Sequence, residues 1–139
     1  MWKNQTIVPI WEVVTPRALL MSANMNGVSQ SFSIVMPPFV PANANFVKIS
    51  AVSVDGDGDA SCWNNTPLET EIGGFAKNGS FQKQYVYNTP KTGSGSFSGT
   101  GWSLVFPIRD RNIYITKPSA CMQGGGGGMR LYLYLDAFM

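Results

Sequence analysis

The sequence contains no histidine. That excludes the Ser-His-Asp and Cys-His nucleophile systems and the commonest zinc sites, all of which need an imidazole. Charge is scarce as well. Lys, Arg, Asp and Glu make up 13% of the 139 residues, about half the usual share, and the net charge is +2. The basic residues are scattered, and the one close pair, Arg109 and Arg111, is split by Asp110. A nucleic-acid binder gathers positive charge on one face, because phosphate neutralisation supplies most of the affinity. No nucleic-acid partner is therefore expected. No apolar run approaches the ~18 residues of a membrane-spanning helix, so no membrane partner is expected either. The opening residues Met1-Trp2-Lys3-Asn4-Gln5 do not lead into the apolar stretch of a secretory signal. Synthesis in the cytoplasm, with no export address, is the expectation. Cysteine occurs twice, at Cys62 and Cys121. The pair could form one bridge, but two reduced thiols fit that compartment better.

Long stretches free of glycine and proline are also rare, with 15 Gly and 9 Pro in the chain. A coiled coil or long helical bundle would need Ala, Glu, Lys, Leu and Arg in bulk. What the chain does contain is a large aromatic payload, with 8 Phe, 5 Tyr and 4 Trp. That is enough to build one core, and the length suits a single domain over 1–139.

The apolar residues repeat with the period of strands. Phe46 to Val54 is β-branched and partly alternating. Thr6 to Val14 reads as a strand with Pro9 at an edge or bulge, and Val28 to Met36 alternates Phe32, Ile34 and Met36 against serines. Trp102, Leu104 and Phe106 share a face, as do Ile113 and Ile115 after a turn at Arg109–Asn112. The last segment is the cleanest, with Met129, Leu131, Leu133 and Leu135 on one side and Arg130, Tyr132, Tyr134 and Asp136 on the other. For Thr15 to Leu20 a short helix competes, with Thr15 as N-cap and Pro16 at the first position. Asn26-Gly27 and Asn78-Gly79 each predict a hairpin, since Asn-Gly tolerates the positive φ of a tight turn. The first would join Leu19–Met25 to Val28–Met36. The sum is an all-β protein of eight to nine strands. Two antiparallel sheets packed as a sandwich, jelly-roll-like, are expected.

Few residues could carry chemistry. Asp55, Asp57 and Asp59 alternate with glycine after a strand, a pattern that can wrap calcium. The EF-hand pattern is not met, because its sixth position is Ala60 and its twelfth Thr66. A solvated acidic turn is the default, and no cofactor other than calcium is implied. Glu69 and Glu71 share a strand face, but a retaining glycosidase draws its two carboxylates from different strands in a deep cleft. Ser80 and Lys83 have the Ser-x-x-Lys spacing on a hairpin arm, where its enzymes place it at a helix start. The runs Thr92–Gly101 and Gln123–Gly128 are rich in glycine and lack the phosphate-cradle pattern.

Tyr132 and Tyr134 admit three readings: a second buried face, a platform for sugar rings, or a subunit interface. Trp2 and Trp63 lie near the terminus or turns and could likewise meet a partner. A free monomer would normally carry more surface charge, so much of this surface is expected to be covered by protein. In its Gly/Ser loops, Asn-Gly pairs and closing Met129–Leu135 strand the chain resembles, in style, the small all-β virion proteins of tailed bacteriophages, such as capsid decoration proteins and fibre pieces. The resemblance covers the whole chain loosely and rests on no specific motif. It implies a non-enzymatic homotrimer located in the virion that reinforces the shell through contacts with a major capsid protein. The alternative is a carbohydrate- or receptor-binding module, such as a fibre or adhesin tip.

Overall fold

Where apolar and polar residues alternate, one side of the chain can be buried while the other stays wet, and a strand satisfies both. Eight segments do this in the computed structural model, which describes residues 10–25, 29–55, 68–88, 98–118 and 130–139. The strands are β1 (Glu12–Asn24), β2 (Gln30–Val35), β3 (Phe46–Asp55), β4 (Leu68–Phe75), β5 (Phe81–Asn88), β6 (Ser98–Pro107), β7 (Asn112–Lys117) and β8 (Arg130–Phe138). They form two antiparallel four-stranded sheets in the orders β1-β8-β3-β6 and β2-β7-β4-β5, packed face to face as a sandwich.

The core lies between the sheets. Val47, Ile49 and Ala51 of β3, Leu104 and Phe106 of β6, and Leu131, Leu133 and Leu135 of β8 come from one side. Ile72, Val86, Ile113 and Ile115 come from the other. Burying a side chain of this size stabilises the fold by ~1.5–3 kcal/mol. The alternation in β8 is therefore decisive, since a one-residue slip would turn three leucines outward.

The pairing is nested: β1 with β8, β2 with β7, β3 with β6 and β4 with β5. Among the described residues, β4 and β5 are the one pair of strands adjacent in the chain that also pair with each other. Their turn is the predicted Asn78-Gly79 hairpin. Gly79 takes φ +90°, and the Asn78 side-chain oxygen accepts from both the backbone N–H and the hydroxyl of Ser80. The other Asn-Gly expectation fails. β1 and β2 lie in different sheets and do not pair with each other, and Asn26-Gly27 itself lies outside the described residues. A turn signal reports that the chain reverses and does not choose the partner; β8 outcompetes β2 for β1.

The competing helix over Thr15–Leu20 is absent, because those residues lie within the 13-residue β1. Pro16, preceded by a cis peptide, is tolerated there because β1 is an edge strand and its register shifts between Val13 and Ala18. The Arg109–Asn112 turn is present without any glycine. Asp110 and Arg111 both take positive φ, 56° and 63°, the geometry of a type I′ turn. Arg111 is anchored to Met36 by its backbone carbonyl, which accepts from the Met36 N–H at 2.8 Å, and by its guanidinium, which donates to the Met36 carbonyl.

The antiparallel order sorts the connections by end. The short links 76–80 and 108–111 lie at one end, with Phe138 of β8 and Glu12 of β1. The strand ends Asp55, Leu68, Asn88, Ser98, Lys117 and Arg130 all lie at the other. At that second end the two sheets are tied together by Asn88. Its side-chain amide donates to the carbonyls of Val54 and Arg130 at 3.3 and 3.1 Å. Lys117 adds a second tie, donating to the Asn24 carbonyl at 3.1 Å.

Candidate functional site

The outer face of the β2-β7-β4-β5 sheet follows from register alone. Ser31, Thr116, Glu71 and Tyr85 stand in one row across the four strands, and Ser33, Tyr114, Gly73 and Lys83 stand in the next. Phe75 and Phe81 close the hairpin end as a direct cross-strand pair. Glycine at position 73 is demanded by this arrangement. A Cβ there would come within 2.6 Å of the Phe81 ring and 2.5 Å of the Gln82 carbonyl oxygen. The missing side chain lets the Phe81 ring lie across the sheet.

Three rings consequently meet on a solvent-facing surface. The Phe75 and Phe81 centroids are 4.8 Å apart, and Tyr114 meets Phe75 edge-on at 5.3 Å and Phe81 at 6.3 Å. Arg109 backs the cluster, its guanidinium 5.1 Å from the Phe75 ring centre. Phe81 and Tyr114 remain exposed. Between these rings and the polar row lies a trough of about 350 Å³. Its polar side carries Ser31 and Thr116, whose hydroxyls are 3.2 Å apart, and the carboxylate of Glu71.

The acidic residues of this face are held by neighbours. Glu71 pairs with Lys83 at 2.9 Å and accepts from the Tyr85 hydroxyl at 3.5 Å; Glu69 accepts from the Tyr87 hydroxyl at 3.2 Å. The hydrogen bond to Glu71 leads the causes that raise the Lys83 pKa above its ordinary 10.5. Desolvation leads for Tyr87, raised above its ordinary 10.0, with the Glu69 hydrogen bond adding to it. Glu69 and Glu71 do share a strand face, as their spacing predicts. Ser80 is engaged with Asn78 in the hairpin turn, and Lys83 is committed to Glu71.

Tyr132 and Tyr134 lie on the outer face of the opposite sheet, half-buried. Each carries a guanidinium over its ring: Arg17 at 4.0 Å over Tyr134 and Arg130 at 5.8 Å over Tyr132. Arg130 also donates to the Ser22 hydroxyl at 2.9 Å. Next to them Ser50 hydrogen-bonds Asp136. The reading of these tyrosines as a second buried core face does not hold, because the leucines between them fill the core.

Asp55 ends β3; Asp57 and Asp59, with Trp2, Trp63, Cys62 and Cys121, lie outside the described residues.

Comparison with known proteins finds no matching family model and no matching curated protein.

The trough residues did not stand out in the sequence. Phe75, Phe81 and Tyr114 belong to three strands and converge only through the β4–β5 and β4–β7 registers. The one local signal was Gly73-Gly74 inside a strand, which marks a close approach. Gly73 makes room for Phe81, and at Gly74 a Cβ would collide with the Pro107 carbonyl of the facing sheet.

Proposed function

We propose that the protein is a non-enzymatic structural subunit of a virus particle. In this reading it is a decoration-type protein that reinforces a shell through contacts with a major capsid protein and with copies of itself, as a trimer. The observation that carries the reading is the apolar exterior of a weakly charged chain. Ile10, Val13 and Leu19 are 81%, 73% and 57% exposed, and Val35 and Phe39 are exposed as well. Apolar surface on this scale, with so few charges to keep it apart from other protein, favours burial against neighbours. The proposed contacts include Tyr132 and Tyr134, with Trp2 and Trp63, since tyrosine and tryptophan combine apolar area with a polar handle.

The nested strand pairing supports the same class. We read it as a jelly roll, an arrangement used by viral capsid domains and by lectins. The step from that architecture to a virion is fold-level analogy.

Sedimentation of the full chain at high micromolar concentration tests the assembly, and mass spectrometry of purified virus particles tests the location. A trimer that Tyr134→Ala weakens, found in particles in stoichiometric amount, is the expected result. A monomer absent from particles overturns the proposal.

The alternative, a carbohydrate- or receptor-binding module, is favoured by one specific observation: the aromatic trough with its row of hydroxyls and a carboxylate.

A further inference from the structure

We propose that the trough on the outer face of the β2-β7-β4-β5 sheet is a binding site for a neutral saccharide. The proposal rests on the lectin-like alternative and not on the virion role; the two can hold or fail separately. A sugar ring has a face of C–H groups and a rim of hydroxyls. It therefore asks for an aromatic surface on one side and hydrogen-bonding groups on the other. The trough supplies both, on opposite walls.

One wall is aromatic. Tyr114 and Phe81 are exposed, and Phe75 locks them in place from behind, with all three centroids within 6.3 Å of one another. The negative faces of such rings attract the partly positive C–H groups of a sugar. The other wall is the row Ser31, Thr116 and Glu71, held on three adjacent strands by the sheet register. Its hydroxyls can donate or accept, and the carboxylate accepts. The volume of about 350 Å³ sits at the small end of ligand sites, enough for one or two sugar rings.

Charge selects among sugars. The Glu71 carboxylate faces the trough and Lys83 compensates it at 2.9 Å, so the wall offers no surplus positive charge to an acidic sugar. The Glu71–Lys83 and Glu71–Tyr85 contacts also hold the carboxylate in one orientation before any ligand arrives, which lowers the ordering cost of binding. A neutral hexose or N-acetylhexosamine unit fits this chemistry. The site is shallow and open, so affinity in the millimolar range is expected for a single disaccharide.

The test is an amide-resolved NMR titration of the full chain with lactose, maltose, cellobiose and chitobiose, each to about 20 mM. At least one sugar should shift the amides of Ser31, Glu71, Tyr114 and Thr116 in a saturable way. Tyr114→Ala should weaken that binding at least tenfold. Glu71→Gln, which keeps the shape of the wall and removes the charged acceptor, should weaken it several-fold with the rest of the spectrum unchanged. Tyr132→Ala on the opposite sheet should leave it unaltered. The proposal is overturned if none of the four sugars causes saturable shifts, or if the shifts map to the Tyr132 and Tyr134 face. It is equally overturned if the trough amides move with protein concentration alone, since a second copy of the chain then occupies the site. A trimer in sedimentation with no sugar binding would sink the site and spare the structural role; sugar binding by a monomer would do the reverse.

Discussion

Asn88, at the end of β5, donates its side-chain amide to the carbonyl oxygen of Arg130 in the opposite sheet, 3.1 Å away. The same nitrogen reaches the Val54 carbonyl at 3.3 Å, so one buried side chain holds three strands together across the sandwich. Asn88→Ala leaves those backbone carbonyls without this donor and opens a small void. A loss of about 1–3 kcal/mol in urea unfolding is expected. Asn88→Asp should cost more, because a carboxylate would face two carbonyl oxygens.

Gly74 of β4 passes so close to Pro107 of β6 that an added Cβ would collide with the Pro107 carbonyl. Neither strand can give way easily, since both are paired within their own sheets. Gly74→Ala should therefore destabilise by about 1–3 kcal/mol or more. Gly101→Ala is the matched control. Nothing lies within 4 Å of a Cβ at that position, and its thermal midpoint should stay close to that of the parent.

Leu133 is fully buried in β8, and Tyr132 beside it is half-buried on the outer face. Leu133→Ala should cost about 2–5 kcal/mol of stability. Tyr132→Ala should cost clearly less, because it leaves no cavity in the core. Equilibrium unfolding of the two variants side by side reads out which face of the strand supports the fold.

Alkaline pH should separate the Glu69 and Glu71 contacts from the rest of the sheet. Folding raises the pKa of Lys83 and of Tyr87. A raised pKa means that the protonated form is favoured in the folded state. The stabilisation is then complete below the ordinary values of 10.5 and 10.0 and disappears as pH climbs through the folded ones. Both side chains are exposed, so the effect is small. The unfolding midpoint should be flat through neutral pH and fall above about pH 10. The Tyr87→Phe, Lys83→Met double variant should show a shallower fall, measured by circular dichroism against pH.

Much of the fold can be read from residue order, because the determining signals are local. The alternation from Arg130 to Asp136 states which side of β8 is buried, and Phe46 to Val54 could hardly be anything but a strand. Asn78-Gly79 dictates a reversal, and the strands on either side of it pair. Partnership between distant strands is another matter. Leu19–Met25 and Val28–Met36 flank an Asn-Gly pair of the same kind, yet β1 finds β8 and β2 finds β7. That choice depends on burying the whole apolar face of each strand against a second layer, which no short window contains. Thr15–Leu20 shows the same override. Its capping residues suit a helix, and its pairing along β8 makes it a strand.

The candidate site was harder to see for a related reason. Tyr132 and Tyr134 attract attention because they sit two apart on one strand. Phe75, Phe81 and Tyr114 are farther apart in the chain and meet only when β4 has been placed between β5 and β7. Cross-strand neighbours are set by register, and register is a property of the finished sheet.

Among the described strands, the first in chain order is paired with the last. β8 also lies between β1 and β3, so without it the sheet it completes is split into two pieces, each with an apolar flank open to solvent. The β4–β5 hairpin, whose partners are near neighbours in the chain, is the natural place for order to begin and spread outward. Pairings of such long separation fold slowly. A chain cut before Arg130 would keep both flanks bare and open to any protein with an apolar surface of its own.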